Sequence, residues 1–225
     1  MDKYQKYGLF TLALSLFLMT IFSRGSERIL YVSGILYSLV FLFHTPLEKI
    51  FSGIKRPLRA YGIAVVANGL IVETLAYFTN LDRIRAGEKA YLFATSRVAA
   101  DIFMSLPYYI VLALIYTWAV KKYKFTTFSL GFIIWLFWAI TVDEWVHLLQ
   151  LFAGGLPGVV GFVLAGFIML FTLHAPIVIF EKRIAEAYPS RLDTKLKYVY
   201  VFLLQNLSMI PPFVIGFIAY NILHL

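Results

Sequence analysis

Asp143, Glu144 and His147 stand together in residues 135–155, WLFWAITVDEWVHLLQLFAGG, a stretch that is otherwise almost wholly apolar. Asp143 and His147 are four apart and Glu144 and His147 three apart, so on a helix all three point into one sector. A charged group in hydrocarbon costs about 3 kcal/mol even on lenient insertion scales. Such residues therefore line a cavity or meet a partner. A second carboxyl, Glu73, sits among Val72, Thr74 and Leu75 with no basic residue within a helical turn. Burial there disfavours the charged form, which makes Glu73 a candidate proton donor. The competing reading is a neutral glutamate hydrogen-bonded between helices.

Three chemistries fit this inventory. Asp143 and His147 could hold a divalent ion with Glu73 or Glu144 completing the set. Glu144-x-x-His147 is half of a di-iron arrangement, but such sites repeat the pair on a second helix. No second copy occurs, so neither a metal nor another cofactor is expected. The second chemistry is proton transfer to an isoprenoid or other lipid. A buried acid protonates a carbon–carbon double bond, aromatic faces stabilise the cation, and a further group accepts a proton or directs water. Here Glu73 is the acid and Asp143 with His147 the base. Asn68, Tyr77, Tyr108, Trp138 and Trp145 are the substrate-contacting set. Aromatic residues make up 18% of the chain, so such faces also arise without chemistry.

The third is a proton-coupled carrier or cation pathway, which the intramembrane acids and the prolines Pro107, Pro176, Pro211 and Pro212 would suit. A non-catalytic subunit whose charges pair with a partner is the structural alternative. No lysine lies in the last apolar segment, which argues against a retinal Schiff base. No Gly-x-Ser-x-Gly or His-Glu-x-x-His motif occurs either.

The elements that position these residues are membrane helices. Hydrophobic residues make up 61% of 225 and charged residues only 14%, against about 25% in soluble domains. Mean hydropathy is +0.80. Cysteine is absent, which removes disulfides, thiol catalysis and thiolate metal sites together. Seven segments are apolar enough to span, near residues 7–22, 29–43, 60–78, 98–120, 128–152, 156–180 and 198–223. The first two are short of the roughly 20 residues a bilayer wants. Lys3 and Lys6 precede the first, but Ser23-Arg24-Gly25-Ser26-Glu27 offers no small-residue cleavage site, so a retained helix is expected. The expected fold is a single all-α domain over residues 1–225, a polytopic transmembrane helical bundle of about seven helices.

A net charge of +8 would point to nucleic acid in a soluble protein. In a membrane protein its distribution sets topology, and no nucleic-acid partner is expected. The N-terminus, the second loop (Lys49, Lys55, Arg56, Arg59), the fourth (Lys121, Lys122, Lys124) and the sixth hold 14 of the 20 Lys and Arg. The positive-inside rule then puts the N-terminus in the cytoplasm and the C-terminus outside, in the cell membrane. On this topology Glu73, Asp101, Asp143 and His147 all lie in the outer half. His44 reads as an interfacial residue, Arg97 and Asp101 as a local ion pair, and Tyr116 and Trp118 as interface anchors. The loop 47–59 reads as amphipathic and lying on anionic headgroups. The turn Gly154-Gly155-Leu156-Pro157-Gly158 forces an antiparallel pair, with Gly158, Gly161, Ala165 and Gly166 allowing close approach. Pro176 frees the carbonyl of Thr172 and should open its helix. Membrane lipids and a hydrophobic small molecule are the expected partners, and the oligomeric state is open.

Asn68-Gly69-Leu70-Ile71-Val72-Glu73, then Gly87-Glu88-Lys89-Ala90-Tyr91, then Leu106-Pro107-Tyr108-Tyr109-Ile110 and Trp118 resemble part of the carotenoid hydratase family of membrane proteins. That family carries a membrane glutamate, a Gly-x-x-Tyr-like stretch and a proline-containing helix closing in Trp. The likeness covers under a quarter of the chain. The family's Thr-Gly after the glutamate is Thr79-Asn80 here, and the separation of Glu73 from Pro107 is longer. The resemblance implies water addition to a polyprenyl or carotenoid chain with Glu73 at the centre.

The topology is testable directly. Reporter fusions at Lys122 and Gly155 should fall on opposite faces, Lys122 inside; the reverse would overturn every depth given above.

Overall fold

The computed structural model describes residues 3–23, 27–85, 98–141 and 155–208, together with 210, 214 and 218. Asp143, Glu144, Trp145 and His147 lie outside these residues, as does the side chain of Trp138. Among the described residues every element is helical. The elements are α1 (Lys3–Phe22), α2 (Glu27–Leu42), the short α3 (His44–Ile50) running into a 3-10 turn (Phe51–Gly53), α4 (Pro57–Arg85), α5 (Val98–Lys122) and α6 (Thr127–Thr141). A second group comprises α7 (Gly155–Met169), a π-turn (Leu170–His174), α8 (Ala175–Ala187) and α9 (Leu196–Leu207).

Among the described residues three stretches are long and apolar enough to cross a membrane: Gln5–Phe22, Pro57–Phe78 and Val163–Ala187. A fourth results if Arg28–Leu42 and His44–Gly53, bent by 73° at their junction, make one span. The three differ in burial, at 11%, 22% and 72%. The bundle is therefore built around Val163–Ala187, the stretch that runs through α7, the π-turn and α8. By contrast α1 leaves Phe10, Phe17, Ile21 and Phe22 exposed, as an outer, lipid-facing helix would.

The π-turn follows from Pro176. A proline has no amide hydrogen, so the carbonyl of Thr172 has no i+4 donor. The helix widens instead, and the amide of Ala175 reaches back to the carbonyl of Leu170. The expected opening is present and takes this form. Pro57 stands at the first position of α4, where its missing hydrogen costs nothing. Pro107 lies within α5, and the helix runs through it.

The loop expected as an amphipathic segment over 47–59 is in part helical, as α3 and the 3-10 turn. The loops expected on one face do come together. Lys124 donates its amide to the carbonyl of Leu192 at 2.8 Å, and Leu192 donates to Lys122 at 2.9 Å. Arg183 Nη1 reaches the carbonyl of Phe51 at 3.5 Å. Lys197, buried at the start of α9, donates to the carbonyl of Lys124 and to Asp193 Oδ1 at 2.8 Å. That ammonium holds the exposed Asp193 carboxyl below its usual range. The second, fourth and sixth basic loops thus meet at one end of the bundle.

Tyr116, expected as an interface anchor, is corrected by the structure. It is 0% exposed and donates to Gln205 Oε1 at 2.5 Å, because α9 packs across α5 at that point. Trp118 does lie near the surface, with Lys122 Nζ 5.2 Å from its ring.

α4 and α5 run antiparallel in close contact: Gly62 meets Thr117 and Gly69 meets Tyr109. A Cβ on Gly69 would fall inside the Tyr109 ring. α6 and α7 approach similarly, with Gly166 against Trp135, and Ala165 is also buried there. Both small residues belong to the set expected at this contact. Because the Tyr109 ring is buried and tethered at its hydroxyl, it cannot swing aside. Gly69→Ala should therefore destabilise the detergent-solubilised protein by about 1–3 kcal/mol through overpacking. Gly8 has nothing within 4 Å of its missing Cβ. Gly8→Ala should be neutral or raise the melting temperature, since alanine is up to about 1 kcal/mol the better helix former.

Candidate functional site

The bundle-facing side of α4 carries Tyr61, Val65, Asn68, Gly69, Val72 and Glu73, a helical i, i+4, i+7, i+8 pattern. Tyr108, Tyr109, Leu112 and Tyr116 of α5 face them. A polar seam therefore runs along an otherwise apolar contact.

Glu73 lies at one end of it, towards the C-terminus of α4. Tyr109, 2% exposed, donates its hydroxyl to Glu73 Oε1 at 2.7 Å. The geometry depends on Gly69, one turn before Glu73. With no side chain there, the tyrosine ring lies flat against α4 and its hydroxyl reaches the carboxyl. Tyr108 is the neighbouring ring, 5.2 Å away between centroids. Its buried hydroxyl, within Coulombic reach of Glu73, has no hydrogen-bond partner among the described residues. Leaving such a group unsatisfied costs about 1–3 kcal/mol, so the site favours a water or a hydroxylated ligand. Tyr77 stands one turn beyond Glu73 on the same face, half-buried and edge-on to Phe78 at 5.6 Å.

Asn68 has a different position from the other site candidates. Its Nδ2 donates to the carbonyl of Phe171 at 2.9 Å, and Tyr61 donates to the carbonyl of Leu173 at 3.2 Å. Both carbonyls lie in the π-turn, so two α4 side chains seven residues apart satisfy a backbone that the helix itself has opened. Farther along the seam, Gln205 receives Tyr116, and its own Nε2 has no partner among the described residues.

The structure thus brings together Glu73, Tyr108 and Tyr109. The pairing of Glu73 with Asp143 and His147, and the places of Trp138 and Trp145, lie outside what it describes. Among the described residues no three His, Asp or Glu side chains cluster to hold a metal.

His174 is not among the site candidates read from the sequence. It is 2% exposed, with Nδ1 2.8 Å from Tyr37 Oη and Nε2 2.6 Å from the carbonyl of Thr127. A carbonyl only accepts, so Nε2 carries the hydrogen, and Nδ1 of the neutral ring accepts from Tyr37. Thr127 in turn donates its hydroxyl to Glu181, which lines a second cavity of about 530 Å³ with His44, Glu48 and Lys182. Pro176 two residues later was the one signal that this turn was unusual.

Between α4 and α5, on the exposed side of their contact, runs an apolar groove of about 600 Å³. It ends at Leu70 and Ile110, one turn short of Glu73 and beside Tyr109.

Comparison with protein-family models, characterised proteins and solved structures finds no match to this chain.

Tyr109→Phe removes the hydrogen bond to the carboxyl and should cost about 1–3 kcal/mol. That corresponds to a melting-point drop of about 2–4 °C per kcal/mol at this chain length. Glu73→Leu combined with Tyr109→Phe should be less destabilising than the sum of the two. Strict additivity would mean that the two side chains do not interact.

Proposed function

We propose that this is a polytopic membrane protein of about seven spans, with cytoplasmic N-terminus and external C-terminus in the cell membrane. Its buried acid, Glu73, acts on a membrane-dissolved isoprenoid or other lipid. The observation that carries this reading is Glu73 beside two buried tyrosine hydroxyls, one bound to it and one without a partner among the described residues, with an apolar groove that ends one turn away.

The chemistry follows from the hydrogen bond. Tyr109 occupies Oε1, so the proton of the neutral carboxyl sits on Oε2. Transfer of that proton to one carbon of a double bond leaves a carbocation on the other and a carboxylate on Glu73. The Tyr109 donor then stabilises the carboxylate, because a hydrogen bond to an ionised oxygen is the stronger one. Water adds to the cation and gives up a proton to a base, for which Asp143 and His147 are the candidates. The net reaction is addition of one water. The resemblance to carotenoid hydratases supports this direction, and loss of a neighbouring proton instead would give an isomerase or cyclase. Tyr77, Tyr108, Trp138 and Trp145 are the faces for the cation.

A proton-coupled carrier is the second reading. The opened π-turn in the most buried span, with His174 inside it, favours that alternative.

The test is the lipid profile of cells expressing the protein, read by mass spectrometry. The wild type should yield a lipid product heavier by one water, and Glu73→Gln should lose that product while inserting and melting normally. Asp101→Asn should leave it unchanged. If Glu73→Gln keeps both product and stability, the carboxyl is structural and the subunit reading replaces the enzyme.

A further inference from the structure

The groove between α4 and α5 has a direction. Its walls are Val66, Leu70, Ile110 and Leu114, and its polar groups, Arg59 and Thr117, both lie at one end. Gly62 forms the floor beside them, with Thr117 Oγ1 3.1 Å from where a Cβ would stand. From Leu58 to Leu70 the groove follows thirteen residues of α4, a rise of about 18 Å at 1.5 Å per step. One leaflet of the hydrocarbon core measures about 15 Å, half of roughly 30 Å. The groove is therefore one leaflet long, apolar along its length and basic at one end.

The basic end belongs to the cluster of loops that charge distribution places in the cytoplasm. Lys55, Arg56 and Arg59 are all exposed there within about a turn of one another, and Lys121 and Lys122 close the end of α5. Lys121 and Lys122 lie against the rings of Tyr188 and Trp118. Arg59 is different: its guanidinium makes no hydrogen bond or ion pair with any described residue. A guanidinium presents a planar fork of donors that matches a phosphate, and Arg59 stands in the lining at one end of a slot sized for a hydrocarbon chain.

We propose that the α4–α5 groove binds one anionic glycerophospholipid of the inner leaflet, an acyl chain lying along Val66 and Leu114 and the phosphate on Arg59. The charge of the mouth selects for anionic headgroups, and Gly62 gives the chain its depth. This site requires α4 and α5 to be spans of the proposed membrane protein. It does not require that Glu73 perform chemistry.

The experiment uses the full chain, purified in mild detergent and delipidated, then given phosphatidylglycerol or phosphatidylcholine with matched acyl chains. Native mass spectrometry counts the retained lipid, and thermal melting reports stabilisation. The wild type should keep one phosphatidylglycerol in preference to phosphatidylcholine and melt higher with it. Arg59→Gln should weaken phosphatidylglycerol about tenfold or more, the size expected for a hydrogen bond to a charged group. Lys55→Gln, which removes an equal charge outside the groove, should keep the preference. Gly62→Leu should fill the slot and expel both lipids, and Leu114→Trp does the same from the exposed rim should Gly62→Leu not fold. Glu73→Gln should leave the lipid count unchanged, so a catalytically silent Glu73 would sink the enzyme reading alone. Equal retention of the two lipids, equal losses from Arg59→Gln and Lys55→Gln, or a second copy of the chain in place of lipid would each overturn the proposal.

Discussion

A single missing amide hydrogen, that of Pro176, constrains the most buried helix of this bundle. In water the freed backbone would be solvated at little cost. Inside an apolar bundle each opened carbonyl must find a donor from the protein itself. The chain meets that demand by widening the turn at Leu170–His174 and by sending Asn68 and Tyr61 across from α4 to the carbonyls of Phe171 and Leu173. These bonds fix where α4 sits along the central span. The position of α4 then sets the height of Glu73, five residues beyond Asn68, and the line of α5 against it.

Tyrosine is the side chain that makes this arrangement possible. Four of them, Tyr61, Tyr108, Tyr109 and Tyr116, are buried in the core that α4 and α5 share. Each fills space as a hydrophobe and carries one hydroxyl to a chosen place. Three of those hydroxyls are used on a backbone carbonyl, a carboxyl and an amide. The fourth, on Tyr108, lies buried beside Glu73 without a partner among the described residues. It differs from the other three, whose hydroxyls are all engaged within the bundle.

Much of the scaffold was legible from residues alone. Apolar length located where the described helices begin to within a few positions, though α4 runs on to Arg85, past the expected end at 78, because polar residues continue a helix that hydropathy would stop. The second, fourth and sixth basic loops grouped together as their charge predicted. Glu73 could be singled out as an acid without a nearby base, but its partner could not. Tyr109 is 36 residues away and faces it only through the bare surface at Gly69. Tyr116 was misplaced for a related reason. A tyrosine near a helix end reads as an interface residue unless one knows that α9 covers it. His174 carried no pattern at all, since its contacts, Tyr37 and Thr127, come from two distant helices.

The short bridge between residues 122–124 and Leu192, with Lys197 tucked beneath it, has a mechanical meaning. It rivets the ends of α5, α6 and α9 together where the basic loops meet, while the other ends of these helices carry no comparable tie among the described residues. Any breathing of these helices among the described residues therefore has its fixed point at the basic pole.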